Sequence, residues 1–369
     1  MSTYTNARLV TPTGVIGNGW LTTEDGRITG LGEGPREGGR DLEGAFLAPG
    51  FVDIHVHGGG GHSAMTSKDS IREAVAYHRT RGTTTMLISL VTAPLDHMER
   101  AAGWIADLTE EGLIAGGHFE GPFLSHARCG AQDPDALRLP DVAELRRLLD
   151  AGRRTIRQVT IAPELVGPSG DTGLDLIREC VSRNVVAAIG HTDATYEQAA
   201  AGFEAGARLV THTFNGMRGL HHRDPAVVLA AAERPDVILE VINDGVHLHP
   251  SVVAMLDRIA ARRLALITDA IDATGIGDGE YRLGAMSVVV KDGEARLATN
   301  GSLAGSTLTM DVAFKRAVQA VGVPIEIASF YASAIPAQVL GLTDRGLLAE
   351  GQRADLVVLD DALDLVEVL

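Results

Sequence analysis

The sequence has little of several residue types, and each shortage excludes a class of protein. Aromatic residues make up 4% of the 369 residues, whereas hydrophobic residues make up 45%. A core of Ala, Val, Leu and Ile is typical of layered strands and helices rather than of a fibrous protein. The two cysteines, Cys129 and Cys180, lie in unrelated contexts and form no CxxC motif, so no disulfide framework is predicted.

Positive charge is also scarce. The formal net charge is −16 and no run of Lys or Arg is present, whereas binding to nucleic acid or to an anionic membrane needs a basic surface. We therefore expect neither partner, although a few cations in a pocket would suffice for an anionic small molecule. No apolar run approaches the roughly 18 residues of a membrane span, and the first residues do not resemble a secretory signal. We expect a soluble, cytoplasmic protein.

A regular alternation of strand-like and helix-like segments begins at Phe51. Eight short apolar runs are separated by segments of helical periodicity over residues 51–270. Strands this apolar are typical of a parallel sheet that is buried on both faces. Eight strand–helix units in about 250 residues predict an α/β fold with a (β/α)8 TIM-like barrel, and a doubly wound open sheet is the alternative. The predicted strands are FVDIHVH, TTTMLISLV, LIAGGHFEG, IRQVTIAP, VVAAIGH, RLVTHTF, VILEVIND and LALITDA.

Short strand-like segments flank the predicted barrel at both ends of the chain. Turn signals such as Asn18-Gly19 and Asp25-Gly26 predict hairpins before the barrel. The last segment, GQRADLVVLDDALDLVEVL, is strand-like again. We predict that both termini pair into one small β-sandwich domain. The predicted division is 1–48 and 339–369 for the small β-domain and 49–338 for the barrel.

Polar residues that can bind a metal or transfer a proton lie at the carboxyl ends of the predicted strands. His55 and His57 end the first strand on the same face, because side chains alternate along a strand. Strand ends of a barrel converge on one face, where catalytic residues are found. Apolar strands that repeatedly end in His, Glu or Asp are improbable by chance, because buried charges must be paired or coordinated. The other such ends are HFEGP, GHTD, THTFN, NDGVH and TDA.

Five of these residues form a candidate metal site. Glu120, His191 and His212 offer one oxygen and two nitrogens from strand ends, a set that suits Zn²⁺ or Fe²⁺. His55 and His57 would complete a second position that shares Glu120 as a bridge. A lone strand-end histidine is usually structural, but five ligand candidates at the same end of the strands predict a metal site.

Asp269 stands alone at the end of the eighth strand, where it is placed to take a proton from a water that the metal activates. His118 shares a face with Glu120 and is expected in a hydrogen bond beside the site. The remaining histidines lie in loops or helical segments, where we expect a solvated surface. They are His62, His78, His97, His126, His221, His222 and His249.

Taken in order, the motifs PGFVDIHVHGG, GGHFEGPFL, AAIGHTDATYEQAAAGFEAGA, VTHTFNGM, VINDGVHLHP and ALITDAIDATG resemble those of the N-acetylglucosamine-6-phosphate deacetylases of the amidohydrolase superfamily. The resemblance covers essentially the whole chain, whereas HxH alone would indicate only the superfamily. It implies a metal-dependent barrel that removes acetate from N-acetyl-D-glucosamine 6-phosphate and leaves glucosamine 6-phosphate, in catabolism or in cell-wall recycling.

The resemblance also implies roles for single residues. Glu120, His191 and His212 would be the main metal ligands, and Asp269 the catalytic acid and base. Some members of the family lack the HxH pair and carry a single metal. This sequence keeps the pair, so one or two divalent ions are expected, with Zn²⁺ favoured over Fe²⁺.

For the substrate, the resemblance implies that Asn215 and Gly216 contact the sugar and that His247 and Arg223 bind the phosphate. In the family this arginine reaches across a homodimer into the neighbouring site. Many members have a histidine where this chain has Gln132, which can form hydrogen bonds but cannot carry charge. The implied substrate-binding residues are Ala131, Gln132, Asn215, Gly216, Arg223, His247, Leu303, Ala304 and Gly305.

Two competing interpretations are weaker. Dihydroorotases, hydantoinases and nucleobase deaminases are related hydrolases that often bridge two metals with a modified lysine. The lysines of this chain, Lys68, Lys291 and Lys315, lie outside the strand ends. A non-catalytic barrel would be expected to have lost ligands or Asp269, and this sequence keeps them all.

Overall fold

Eight parallel strands form the centre of the fold. The computed structural model describes residues 1–369, and strands and helices are numbered here along the chain. The eight strands are β6 Phe51–Asp53, β9 Thr83–Val91, β10 Gly116–Glu120, β11 Ile156–Ile161, β12 Val186–Ile189, β13 Leu209–Val210, β14 Ile238–Ile242 and β15 Leu264–Ile267. Each strand pairs with the next in this order, and all pairs are parallel. This order excludes a doubly wound sheet, in which the strand order reverses.

Hydrogen bonds between the chain just after β6 and the chain just after β15 close the sheet into a barrel. The backbone N–H of Asp269 donates to His55 O over 2.8 Å, and that of His57 donates to Ala270 O over 2.8 Å. The predicted (β/α)8 barrel is confirmed. Its closure places two of the candidate ligands directly beside the candidate base.

Helices lie in all seven gaps between the barrel strands, as predicted. Two of them begin with reciprocal side-chain caps, formed by Thr172 with Asp175 and by Thr195 with Gln198. The helices are α1 Lys68–Thr80, α2 Leu95–Glu110, α3 Val142–Ala151, α4 Gly173–Ser182, α5 Tyr196–Glu204, α6 Ala226–Ala232, α7 Pro250–Ile259, α8 Met310–Arg316, α9 Ile325–Ser329 and α10 Ile335–Val339. Irregular helical turns occupy His126–Arg128, Ala317–Val321 and Phe330–Ala334. None of the helices has the length and apolar character that crossing a membrane requires.

Strands from both termini form one sheet of seven strands beside the barrel, so the predicted pairing of the two termini into one small β-domain is confirmed. These strands are β1 Ser2–Thr11, β2 Gly14–Glu24, β3 Arg27–Glu33, β4 Arg40–Asp41, β5 Phe46–Pro49, β19 Leu356–Leu359 and β20 Leu365–Val368. Their order is β20-β19-β5-β1-β2-β3, with β4 beside β1. The C-terminal strand β19 thus pairs with β5, the last strand before the barrel, and β20 pairs with β19.

The two faces of this sheet pack against different cores. Leu47 and Val358 belong to a small hydrophobic core of the terminal strands, whereas the adjacent Ala48 and Val357 belong to the barrel core. Because side chains alternate along a strand, one face of the sheet joins the small domain to the barrel. The division after residues 48 and 338 stays a prediction.

One predicted hairpin turn is wrong. Asp25 and Gly26 form the turn between β2 and β3, as predicted, but Asn18 and Gly19 lie inside β2. A Cβ atom on Gly19 would lie 2.5 Å from Leu9 Cγ, so glycine is needed here for close packing against β1. A glycine in a strand can mark a close approach of a neighbour, and the sequence alone does not distinguish this from a turn.

Two smaller sheets lie near the carboxyl ends of the barrel strands. Their strands are β7 Gly58–Gly59, β8 His62–Ser63, β16 Gly279–Leu283, β17 Met286–Lys291 and β18 Glu294–Leu297. The chain after β18 returns to the barrel, where Ser306 N donates to Asp269 O over 2.8 Å and Ile271 N donates to Ser306 O over 3.0 Å. These bonds hold the segment before Ser306 over the end of the eighth barrel strand.

His78 contradicts the expected solvated surface, because its side chain in α1 is buried. Its Nε2 donates to Gly58 O over 2.9 Å, just beyond the HxH pair. The Nδ1 atom is buried without a partner. Burial lowers the pKa of His78 to about 4, and the hydrogen bond to Gly58 offsets only part of this effect. The ring is therefore neutral in the folded protein at neutral pH.

We expect His78 to make the folded state less stable in acid. Between about pH 6.5 and pH 4 the unfolded chain binds a proton at this histidine and the folded chain does not, so stability falls as the pH falls through this range. From pH 7 to pH 4.5, wild type should lose about 2 to 3 kcal/mol more unfolding free energy than His78→Gln. Urea denaturation of both proteins at the two pH values measures the difference, and an identical pH dependence would contradict this account.

Candidate active site

The five predicted ligands meet at the carboxyl ends of the barrel strands, with Glu120 at their centre. Its Oε1 lies 3.0 Å from His191 Nε2 and 2.9 Å from His212 Nε2. Its Oε2 lies 3.2 Å from His57 Nε2, and His55 Nε2 lies 3.6 Å from Oε1. The structure thus forms two groups of three potential ligands that share Glu120, and within each group the ligand atoms lie within 4.8 Å of one another.

Three of the four histidine rings have their Nδ1 atoms bound to acceptors on the side away from Glu120. An oxygen of a carbonyl or carboxylate group can only accept, so each Nδ1 carries the proton. In a neutral ring the Nε2 atom is then a bare lone pair. The acceptors are Glu240 Oε2 for His55 at 3.1 Å, Ser89 O for His57 at 3.1 Å and Arg128 O for His191 at 2.9 Å.

These Nε2 lone pairs lie close to other ring nitrogens, and the Nδ1 atom of the fourth histidine, His212, is buried without a partner. His55 Nε2 lies 3.1 Å from His57 Nε2, and His191 Nε2 lies 3.0 Å from His212 Nε2. Lone pairs this close repel one another unless a cation or a proton lies between them. Imidazole nitrogens around a carboxylate are the donors that a divalent transition metal binds, so the residues fit the metal that the sequence predicts.

Charged neighbours shift the pKa values of this cluster. Burial raises the pKa of Glu120, but the charges of His55 and His191 outweigh burial and hold this pKa well below its usual range. Burial lowers the pKa of His57, but hydrogen bonds to Asp269 and Glu120 outweigh it and raise this pKa to about 9. Without a metal, protons on the histidines therefore balance the carboxylates, and metal binding would release protons.

Asp269 lies beside the HxH pair, with Oδ1 at 3.2 Å from His57 Nε2 and 3.5 Å from His55 Nε2. Burial raises the pKa of Asp269, but the charges of the two histidines outweigh burial and lower it. Asp269 is therefore an ionised carboxylate at neutral pH. This is the form that can accept a proton.

Three of these residues have a strained backbone conformation that directs their side chains into the site. His191, His212 and Asp269 have φ values of 46°, 26° and 51°, in a region that residues other than glycine rarely occupy. The surrounding structure holds them there, since Asp269 N donates to His55 O and His212 N donates to Glu240 Oε2. Strain of this kind is concentrated at functional sites.

Most of the predicted substrate-binding residues line a cavity of about 290 Å³ above the cluster. Asp269, His57 and Glu120 form part of its wall. The predicted substrate-binding residues that line it are Ala131, Gln132, Asn215, Gly216, His247, Leu303 and Gly305. Gly130, Leu283 and Ser302 also line it and were not predicted. Gly130 and Ser302 adjoin predicted segments, whereas Leu283 had no signal in the sequence.

Two predicted substrate-binding residues do not line this cavity. Ala304 is fully buried, and its N–H donates to Ala295 O over 3.0 Å. This hydrogen bond anchors the backbone that carries Leu303 and Gly305. Arg223 is exposed, and its guanidinium lies 2.7 Å from His222 Nε2. Within one chain, the structure does not bring Arg223 to the site.

Gln132 is buried and contacts a metal-ligand candidate directly. Its Nε2 donates to Glu120 Oε2 over 2.6 Å, and its Oε1 accepts from Thr92 N over 2.7 Å. The amide therefore orients Glu120 and retains one further N–H. Its contact with substrate stays a prediction.

His247 and His118 each have their ring atoms fixed by neighbours. His247 Nδ1 lies 2.6 Å from Asp244 Oδ2, which leaves Nε2 for the cavity. His118 Nδ1 lies 2.9 Å from Ser89 Oγ, and His118 Nε2 lies 2.8 Å from Thr160 Oγ1. These are hydrogen bonds beside the site, as expected. Asp244 and Glu240 were missed as supporting residues. The signal for Glu240 was a single carboxylate within the apolar run VILEVI.

This chain belongs to the amidohydrolase family, whose model matches residues 46–368. It is 37% identical over 368 residues to N-acetylgalactosamine-6-phosphate deacetylase from Escherichia coli O157:H7, covering 98% of this chain and 96% of that protein. It is 38% identical over 317 residues to N-acetylglucosamine-6-phosphate deacetylase from Vibrio furnissii, covering 84% and 78% of the two chains. The resemblance that the motifs indicated is confirmed.

Solved structures agree with these relatives. A mutant N-acetyl-D-glucosamine-6-phosphate deacetylase from Mycobacterium smegmatis, in complex with N-acetyl-D-glucosamine-6-phosphate, matches with a TM-score of 0.95 at 42% identity. The match covers 100% of this chain and 97% of that one. N-acetylglucosamine-6-phosphate deacetylase from Thermotoga maritima matches with a TM-score of 0.89 at 33% identity and covers 100% and 97% of the two chains.

We predict two metal positions, one at Glu120, His191 and His212 and one at His55 and His57 with Glu120 shared. Elemental analysis of the purified protein should approach about two ions per chain. The double variant His55→Ala, His57→Ala should lose one of them, because it removes both imidazoles of one position. A content of one ion that this double change does not alter would rule out the second position.

Proposed function

We propose that this chain is a metal-dependent deacetylase that hydrolyses N-acetyl-D-glucosamine 6-phosphate to acetate and D-glucosamine 6-phosphate, a step of amino sugar metabolism. One observation carries the proposal: a cavity at the barrel mouth combines the Glu120-centred ligand cluster with the ionised carboxylate of Asp269. The names of the relatives at up to 42% identity support the same activity.

The ligand set suits Zn²⁺, with Fe²⁺ as the alternative, because both bind imidazole and carboxylate groups. When bound, the metal polarises the acetamide carbonyl and lowers the pKa of a water molecule. Glu120, His191 and His212 would hold one ion, and His55 and His57 would hold a second ion with Glu120.

Asp269 has two tasks in the proposed reaction. It accepts the proton of the attacking water, for which an ionised carboxylate on the cavity wall is suited. It then donates this proton to the sugar nitrogen, which leaves as a neutral amine rather than as a high-energy anion. The other walls would position the sugar, through Asn215 and Gly216 on one side and Leu303 on the other.

Phosphate recognition requires local positive charge in a chain of net charge −16. His247 lines the cavity, where its Nε2 can bind a phosphate oxygen, while its Nδ1 lies 2.6 Å from Asp244 Oδ2. Arg223 lies outside the cavity of its own chain and is exposed, so we propose that it completes the site of a second chain in a homodimer. Its planar guanidinium can bind two phosphate oxygens at once.

A second candidate substrate is the 4-epimer, N-acetyl-D-galactosamine 6-phosphate. The relative from Escherichia coli O157:H7 that bears this name covers 98% of the chain. The two sugars share the acetamide and the phosphate and differ only at one hydroxyl group. The two substrates are therefore compared in the same assay.

Acetate release from both sugar phosphates tests the proposed activity. We expect turnover of N-acetyl-D-glucosamine 6-phosphate that a chelator abolishes and added Zn²⁺ restores. Asp269→Asn should lower kcat by about 10²–10⁴-fold, because positioned proton transfer is lost, while the metal content stays at the wild-type level. Activity that survives complete metal removal, or an Asn variant with wild-type kcat, would contradict the proposal. A higher kcat/KM for the galactosamine substrate would assign the 4-epimer instead.

Removing Arg223 tests phosphate binding. Arg223→Ala should lower kcat/KM for the phosphorylated sugar by about ten- to a hundred-fold, because a charge-assisted contact is lost. Turnover of unphosphorylated N-acetylglucosamine should not change. A matched control is Arg154→Ala, which removes an exposed arginine near the amino end of β11.

A mixed dimer shows which chain supplies the arginine. If Arg223 serves the neighbouring site, a dimer of Arg223→Ala and Asp269→Asn chains contains one complete site and one crippled site. Such dimers should have about half of the wild-type activity. A mixed dimer with no higher kcat/KM than the Arg223→Ala dimer would show that the arginine serves its own chain.

A further inference from the structure

A buried carboxylate supports the ligand cluster from below. Glu240 lies within β14, and its side chain is fully buried inside the barrel. Its Oε1 accepts a hydrogen bond from Gln158 Nε2 over 2.8 Å. Its Oε2 lies 3.1 Å from His55 Nδ1 and 3.1 Å from the backbone N of His212. His55 is its only ion-pair partner, so no Lys or Arg balances its charge.

We propose that Glu240 is a positioning residue that makes His55 a metal ligand. A carboxylate only accepts hydrogen bonds, so the ring proton of His55 lies on Nδ1 and the Nε2 lone pair faces the cluster. The negative charge beside Nδ1 also makes Nε2 a stronger donor to a metal. This inference rests on the metal positions proposed above. It adds a residue that supports them without touching metal or substrate.

The same oxygen atom also supports the other metal position. His212 has a φ of 26°, and its N–H is buried at the end of β13. A buried N–H without an acceptor is strongly unfavourable, and Glu240 Oε2 is the acceptor here. His212 Nε2 then reaches Glu120 Oε1 at 2.9 Å. One carboxylate oxygen therefore contacts a residue from each group of ligands.

The variant Glu240→Gln separates the charge of this residue from its hydrogen bonds. Gln158 Oε1 is buried and has no partner. If the Gln158 amide rotates, its oxygen can accept from the amide nitrogen introduced at position 240. The introduced amide oxygen can then still accept from His55 Nδ1 and His212 N. The variant thus keeps the acceptor of the His212 N–H and loses only the negative charge beside His55.

We expect Glu240→Gln to lower the affinity for the ion at His55 and His57 by about 10- to 100-fold. This is the usual effect of removing a supporting partner of a metal-bound histidine. The ion at Glu120, His191 and His212 should keep its wild-type affinity. Chelator competition with Zn²⁺ on the purified full-length chain measures both dissociation constants. Asp311→Asn is the matched control, because Asp311 is a buried carboxylate of α8 that pairs with Arg81 away from the cluster.

Three results would overturn this role of Glu240. One is unchanged affinity for both ions in Glu240→Gln. Another is an equal loss of affinity for both ions, because this indicates a general structural role. The third is a wild-type chain that binds a single ion. That result would leave the acetate-release test of the deacetylase untouched, so the two failures are distinguishable.

If Glu240→Gln does not fold, Glu240→Asp gives a second test. It keeps the charge but withdraws the carboxylate by one methylene group from both His55 Nδ1 and His212 N. Weaker binding of the ion at His55 and His57, with or without weaker binding of the other ion, would support the proposal. Wild-type affinity for both ions in this variant would overturn it.

Discussion

The site depends on one electrostatic constraint: four imidazole Nε2 atoms converge on the carboxylate of Glu120. Backbone carbonyls and Glu240 hold the ring protons of three histidines on the opposite side. The inward Nε2 atoms of these three histidines are therefore electron pairs, and such pairs repel one another unless positive charge lies among them. Protons balance this charge in the metal-free protein, as the pKa of about 9 for His57 indicates. A divalent metal balances it with better geometry.

The barrel is what brings these groups together. Closure between the first and eighth strands sets Asp269 beside His55 and His57, although more than two hundred residues separate them along the chain. The strained backbone at His191, His212 and Asp269 then turns their side chains inward. Beneath the cluster, Glu240 accepts hydrogen bonds from Gln158 Nε2 and from the backbone N–H of His212, and the second of these bonds keeps the strained backbone at His212 in place.

The sequence predicted the strands and the residues of the Glu120 cluster because both follow from position. Apolar runs indicate buried parallel strands, and polar residues at their carboxyl ends must converge in a barrel. It did not predict Glu240, because a carboxylate inside a strand acquires its role only from residues on other strands. It misassigned Gly19 and His78 for the same reason, since close packing against Leu9 and the hydrogen bond to Gly58 are tertiary contacts. Arg223 lies outside the cavity of its own chain, and its proposed role needs a second chain, which a single sequence does not describe.

The central claim is that the Glu120 cluster is a metal centre whose histidines bind through Nε2. Anomalous diffraction from crystals of the Zn²⁺-loaded protein, recorded on both sides of the zinc absorption edge, tests it most directly. The account predicts zinc density at about 2.0–2.2 Å from His191 Nε2, His212 Nε2 and Glu120, with further density between His55 and His57. Zinc density elsewhere on the chain with none among these side chains, or binding through Nδ1, would contradict it.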